Sequence, residues 1–481
     1  MRLNVVLRYV GMVLLFVAAF MLASAVIALY SSRDSSFHPL LLSTLLTALL
    51  GAFPLLFVEK SDQITTKEGY CIVVGAWLVS CVVGMFPYLI WGGEFNLINA
   101  WFESVSGFTA TGASILNDIE GLPRGILFWR ISSSWIGGIG VVMFALVILP
   151  SMGRNKLTLS SVELSSLAKE NYRYRTQIIV RILLVVYVGL TLITTLLLHV
   201  AGMNWFDALM HGMSASATCG FSTKNTSIAY FNSPMIETIM ICTMIVAGIH
   251  FGLIFATVTG KRHNIFRSEV TRIYLIIIVI VTVVIGISLR VEDVYPSLVT
   301  SMRHSLFQTV ALITTSGFAT ADSSVWTPLA IVLLMFCSFM CGCAGSTSGG
   351  LKVDRVALAF KVIRNKIKQQ QHPAAVLRVR VDGMMQENST LEAVMTFTVI
   401  YIALIFIGTL FSALCGVDLM TSFSSSLASM GNVGPAFGDV GSMSNYANMP
   451  VAVKFSNTVL MLFGRLEIFG LIQLFFIKWW R

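Results

Sequence analysis

The sequence predicts an all-α polytopic membrane protein: two N-terminal spans, then four parallel span–pore-helix–span repeats around a central pore. Three observations carry this reading. Of 481 residues, 56% are hydrophobic and only 11% are charged, against about 25% charged in soluble domains. Ten apolar runs are long enough to cross a hydrocarbon core of about 30 Å. Four shorter, semi-polar segments lie between them, each ending in a glycine among small residues, at Gly112, Gly220, Gly317 and Gly434.

The apolar runs lie near 9–30, 38–58, 70–92, 124–150, 177–202, 232–259, 271–290, 326–351, 392–416 and 447–477. The first has features of a signal peptide: Arg2 and Arg8 precede it, and Ala23-Ser24-Ala25 resembles a cleavage site. Its apolar stretch is longer than a signal core, so it reads as a true span. The eight cysteines show no CxxC pair, and most fall inside apolar runs (Cys71, Cys81, Cys242, Cys337, Cys415). Reduced thiols are expected.

The semi-polar segments, 97–112, 205–220, 302–317 and 419–434, are too short to cross. Their endings align as TATGA, ATCGF, TTSGF and GNVGP, with the glycines 108, 97 and 117 residues apart. Such a period marks an internal repeat. Thirteen residues before each glycine stand Asn99, Asp207, His304 and Thr421, three of them good helix N-caps. Each segment is therefore expected to be a capped half-helix, then a short extended strand with its glycine. The competing reading is four re-entrant loops that only pack the bundle. An even number of crossings per repeat keeps the repeats parallel, whereas the inverted repeats common in carriers need an odd number. The expected units are 1–69 (the two N-terminal spans), 70–160, 161–262, 263–370 and 371–481.

The net charge of +9 resides in short loops and does not form a nucleic-acid-binding patch. Loop 151–176 carries Arg154, Lys156, Lys169, Arg173 and Arg175, and loop 260–272 carries Lys261, Arg262, Arg267 and Arg272. Segment 352–381 is denser still, and its Lys361, Arg364 and Lys366 are a candidate docking face for a cytoplasmic regulator or anionic lipid headgroups. The positive-inside rule makes these loops cytoplasmic, and both termini with them. The half-helices then dip in from the outer face.

A bare monovalent cation in hydrocarbon costs tens of kcal/mol, and rings of backbone carbonyls can replace its water. Glycine permits the required dihedrals, and each half-helix aims the negative end of its dipole at the cation. Irregular backbone at this depth is tolerated only where it lines a cavity or is buried in protein. Glu103 has no acidic counterpart at the aligned His211, Gln308 and Ser425, so the carboxylates that a divalent-cation site would want are missing.

The span 326–351 is predicted to break at CGCAGSTSGG, Cys341–Gly350, through Gly342, Gly345, Gly349 and Gly350 with Ser346, Thr347 and Ser348. Each interior glycine costs up to about 1 kcal/mol of helix propensity relative to alanine. A polar loop here is a candidate gate; the alternative is close helix packing. The last span carries Arg465 and Glu467, with Lys454 nearer its outer end. Intramembrane charges are functional candidates, and the alternative is a structural Arg–Glu pair. Counted from Ala447, Arg465 is expected about 27 Å along the helix. His211, His250 and His304 read as hydrogen-bonded packing residues, and Cys341 with Cys343 as too isolated for a zinc site.

The motifs SGFTATGAS (106–114), ATCGFSTKNTSI (217–228), TTSGFATAD (314–322), CAGSTSGGLKV (343–353), GNVGPAFG (431–438) and GRLEIFG (464–470) carry a resemblance. Over nearly its whole length the chain resembles the Trk/Ktr/HKT superfamily of potassium transporters, closest to the bacterial TrkH type. The resemblance implies the ion-translocating subunit of a potassium uptake system in the bacterial inner membrane. It implies a potassium filter at Ala110, Thr111 and Gly112; Thr218, Cys219 and Gly220; Thr315, Ser316 and Gly317; and Asn432, Val433 and Gly434. Rubidium should also pass, and sodium more weakly. The first segment reads Thr-Ala-Thr where a run of threonines is usual, and none has the longer TVGYG form. The resemblance further implies that the loop is the barrier, that Arg465 faces the pore, that the permease is a homodimer, and that a cytoplasmic TrkA-type ring binding NAD or ATP regulates it. The rival reading is an ion-coupled secondary carrier, a potassium/proton or sodium symporter, although no midplane coupling carboxylate is evident. No HExxH, GxS–His or paired-aspartate motif suggests an enzyme.

Overall fold

The computed structural model describes residues 2–31, 34–59, 65–140, 176–260, 264–372, 378–382 and 384–466. The helices among them are α1 (Leu3–Tyr30), α2 (Phe37–Phe57), α3 (Thr66–Gly84), α4 (Phe86–Trp91), α5 (Leu97–Phe108), α6 (Arg124–Ile139), α7 (Thr176–Val200), α8 (Trp205–Ser216), α9 (Pro234–Ala247), α10 (Phe251–Val258), α11 (Glu269–Val291), α12 (Leu298–Ile313), α13 (Pro328–Met340), α14 (Val353–Gln371), α15 (Asn388–Leu414), α16 (Leu419–Gly431) and α17 (Val451–Arg465). A two-residue hairpin, β1 (Arg380–Val381) with β2 (Met384–Met385), precedes α15.

Six described helices are long and apolar enough to cross a membrane, and they answer to six of the ten expected spans. The chain is a multi-pass membrane protein. The expected span 232–259 is instead two helices, α9 and α10, meeting at a bend of 103°. The expected span 326–351 ends as helix at Met340. Spans 124–150 and 447–477 extend beyond the described residues, as do loop 151–176, Lys261, Arg262 and Glu467.

The two N-terminal helices pack through glycine. A Cβ on Gly11 would lie 2.6 Å from the Gly51 carbonyl oxygen, and one on Gly51 2.8 Å from that of Gly11. Small residues let helix backbones approach closely where lipid offers no hydrophobic drive between helices. Arg2 pairs with Glu68 at the start of α3, at 3.0 Å, and that contact pulls the Glu68 carboxyl down to about 2. All eight cysteines are free thiols.

The half-helices are α5, α8, α12 and α16, and their caps correct the sequence reading. The caps are Asn96, Asn204, Ser297 and Asp418, and each accepts a backbone N–H three residues on. Asn99, Asp207 and Thr421 are therefore not caps but the residues that donate to them. His304 lies within α12, where its Nδ1 is 3.2 Å from the Thr320 hydroxyl. The capping side chain needs one turn of lead before the N–H it accepts.

Candidate functional site

Each half-helix gives way to a strand with two left-handed residues separated by one ordinary one. The first of the pair is Ala110, Thr218, Thr315 or Asn432, at φ 51°, 54°, 58° and 53°. The second is Gly112, Gly220, Gly317 or Gly434, at φ 82°, 87°, 68° and 92°. Alternating left-handed with ordinary backbone turns successive carbonyls toward one side. A branched threonine in this conformation costs on the order of 1–3 kcal/mol, and such strain persists only where the surroundings over-determine it. The sequence reading credited the dihedrals to the glycines; the structure divides them between glycine and non-glycine residues.

The four strands close on one another. A Cβ on Gly112 would overlap the carbonyl oxygen of Cys219, one on Gly220 that of Ser316, one on Gly317 that of Val433, and one on Gly434 that of Thr111. Each glycine thus packs on the next segment, and the fourth returns to the first. All four glycines line a single cavity of about 70 Å³, which Tyr446 also borders.

Side chains behind the ring brace it. In the first and third segments hydroxyls pair, Thr109 with Thr111 at 2.7 Å and Thr314 with Ser316 at 2.9 Å. The corresponding residues of the second and fourth are Ala217 with Cys219 and Gly431 with Val433. The positions read from sequence only for their missing carboxylates have a different role: they hold the limb that leaves the glycine. Glu103 accepts from the Ile115 N–H at 3.2 Å, His211 Nε2 meets the Ser222 hydroxyl at 2.9 Å, and Gln308 donates to the Ala321 carbonyl at 2.9 Å. In the fourth segment Ser424, not Ser425, does this, donating to the Phe437 carbonyl and accepting from its N–H.

Sequence reasoning missed Arg130. It is buried with Glu103 as an ion pair, donates to the Ser222 carbonyl at 3.2 Å, and lies 3.7 Å from the centroid of the Phe221 ring. It thereby ties the first segment to the second. At the loop edge, Asn225 donates to Asp118 at 3.1 Å and accepts from the Ile119 N–H at 2.7 Å. The Asn225 contact holds the Asp118 carboxyl below its ordinary value.

The predicted helix break is present. After Met340 the chain is irregular from Cys341 to Lys352, both at positive φ, before α14 begins at Val353. Hydroxyls take up some of the freed groups. The Gly349 N–H donates to Thr315 Oγ1 at 3.1 Å, joining this loop to the third ring segment. Thr347 Oγ1 lies 3.0 Å from the Ser216 carbonyl and 3.3 Å from that of Ala247. Ser346 turns inward onto Ser348 and the Cys343 carbonyl. The glycines are packed closely. A Cβ on Gly345 would lie 2.5 Å from the His250 ring, and one on Gly349 2.6 Å from Asn432. Gly342 abuts Ser348, and Gly350 abuts Cys341. The bend at Gly248–His250, whose signal was the glycine-interrupted AGIHFG, makes room for the loop. Cys343 N–H donates to the Gly248 carbonyl at 2.9 Å, and Phe251 N–H to that of Gly345 at 3.0 Å.

Arg465 is the last residue of α17. Because the helix starts at Val451 and not Ala447, it lies about 21 Å along, less than expected. Its guanidinium donates to the Thr347 carbonyl at 2.7 Å and to those of Gly137 and Gly138 at 2.6 and 2.7 Å. It thus bridges the loop to the end of α6.

The TrkH profile, described as a cation transport protein, matches residues 40–479. The chain belongs to the TrkH family. The Trk system potassium uptake protein TrkH of Salmonella typhimurium is 36% identical, with 88% of each chain covered. The protein of that name from Halomonas elongata is 32% identical over 100% of both chains. The crystal structure of the potassium transporter TrkH from Vibrio parahaemolyticus matches over 100% of both chains, with a TM-score of 0.89 and 31% identity. Membership of the TrkH family makes this chain a transporter and not an enzyme.

Proposed function

We propose that the chain is the potassium-translocating subunit of a bacterial Trk-type uptake system, in which the ion permeates passively through the ring of four glycine segments. The observation that carries this reading is the ring itself: each glycine packs against a carbonyl of the next segment, and the sequence of contacts closes. The potassium uptake named for the relatives supports the choice of ion. Backbone oxygens replace water around a cation without a side-chain charge. Glycine in all four segments favours potassium over sodium, with rubidium passing as well. The loop Cys341–Lys352, pinned by Arg465, closes the path on the side of the ring away from the cavity.

By the same resemblance the permease is a homodimer in the inner membrane, both termini are cytoplasmic, and a TrkA-type nucleotide-binding ring docks on the basic face. In that face Lys361 is engaged by Glu269 at 2.7 Å, which leaves Arg364 and Lys366 as the better contacts for a regulator or for anionic lipid. The decisive experiment is uptake of labelled rubidium into proteoliposomes with no sodium or proton gradient. Passive uptake is expected. Uptake that requires either gradient would establish the ion-coupled carrier instead.

A further inference from the structure

The fourth segment is built differently from the other three. The Gly434 carbonyl accepts a hydrogen bond of 3.0 Å from the Tyr446 hydroxyl. Among the described residues, no donor reaches the carbonyls of Gly112, Gly220 or Gly317. Tyr446 is 2% exposed and is fixed from two sides. Its N–H donates to the Ser114 carbonyl at 2.8 Å, and its ring lies 5.3 Å from that of Phe102. Ser114 and Phe102 belong to the first repeat, so Tyr446 spans the seam where the ring closes. Asn432 crosses the same seam, donating to Thr111 Oγ1 at 3.0 Å. Tyr446 and all four glycines line one cavity.

We propose that Tyr446 is a specificity-determining residue: its hydroxyl holds the Gly434 carbonyl oxygen and so weakens one of the four glycine ligands offered to a cation entering from that cavity. This rests on the carbonyl-ring reading above. The hydroxyl occupies one of the oxygen's two lone pairs and sets its positive hydrogen beside any cation that approaches the other. The entrance then presents three unshared glycine carbonyls and one shared. A large monovalent cation, which gathers more oxygens than sodium does, loses more from the deficit. Tyr446 therefore lowers affinity at the entrance and narrows the preference for large over small cations.

Tyr446→Phe removes the hydroxyl while keeping the ring against Phe102 and the backbone link to Ser114. The half-saturating rubidium concentration should fall roughly three- to tenfold, the range one net hydrogen bond gives, and the rubidium-to-sodium flux ratio should rise. Two variants run beside it in proteoliposomes. Phe102→Leu loosens the ring packing and leaves the hydroxyl, and Gly112→Ser disturbs the carbonyl ring directly. A monodisperse Tyr446→Phe protein with parental half-saturation and flux ratio, beside a Gly112→Ser protein with an altered ratio, overturns the role of Tyr446 and leaves the ring standing. If Phe102→Leu reproduces the Tyr446→Phe shift, the residue acts by packing and the proposal fails. If Gly112→Ser changes nothing, the ring reading fails and takes the proposal with it.

Discussion

Replacing Arg465 separates two ways of blocking a cation. The first is repulsion. At roughly 8 Å and an effective dielectric of about 20, a guanidinium raises the energy of a passing monovalent cation by about 2 kcal/mol. The second is a tie. The guanidinium holds the Thr347 carbonyl at 2.7 Å while it also holds those of Gly137 and Gly138, and a hydrogen bond to a charged group contributes about 1.5–3 kcal/mol. Either effect alone slows permeation by more than about tenfold. Arg465→Ala removes both, so rubidium flux through proteoliposomes should rise at least about tenfold with ion preference kept. Arg465→Lys tells them apart. It retains the charge, but an ammonium on one stem lacks the fork that reaches the loop and α6 together. Repulsion predicts that the lysine protein conducts like the parent; the tie predicts that it conducts like the alanine protein. With three carbonyls engaged, the lysine protein should fall nearer alanine. A monodisperse Arg465→Ala protein with parental flux would refute the barrier role altogether, and loss of folded protein in both variants would show that Arg465 is structural.

Gly112→Ser puts a Cβ onto the Cys219 carbonyl at a φ of +82°, so the ring must open between the first and second segments; the sodium-to-potassium flux ratio of the purified protein should rise, and an unchanged ratio would count against the filter assignment. Shortening the chain at Gly345–Gly349 should raise basal flux, yet Gly349 is bonded to Thr315 of the ring, so Thr347→Ala is the cleaner test. That variant removes the hydroxyl tie to Ser216 and Ala247, about 1 kcal/mol, together with one methyl group, and should increase rubidium flux several-fold at unchanged selectivity; equal flux in both loop variants and the parent would reduce the loop to packing. Arg130→Ala strands the buried Glu103 and should cost about 3–5 kcal/mol, read as a lower melting temperature, whereas the double variant Glu103→Gln/Arg130→Met should recover part of the loss.

What the sequence made legible follows from where its signals are local. Half-helix positions came through because a short semi-polar run ending in a glycine among small residues recurs four times at similar spacing. The break after Met340 came through because ten small residues in succession leave helix propensity no support. The caps were misplaced by one turn because Asn96 and Asn99, or Asn204 and Asp207, are equally good capping types three residues apart, and only hydrogen-bond direction distinguishes them. The 103° bend at Gly248–His250 has a local trace in the glycines of AGIHFG, but the loop that packs into it lies nearly a hundred residues downstream, so the apolar run reads as one span. Arg130 was missed for a similar reason: its partner Glu103 stands on another element. An intramembrane charge is interpretable only when its counterion is known, and Glu467, two residues from Arg465 in the sequence, suggests a pair. The carbonyls that Arg465 reaches come from the loop after α13 and from the end of α6. Backbone carbonyls have no signature in sequence, so a site made of them is visible only through the residues that permit it. On the proposed reading, glycine and small side chains mark where the main chain would meet the ion, and which carbonyl does so depends on how the ring closes.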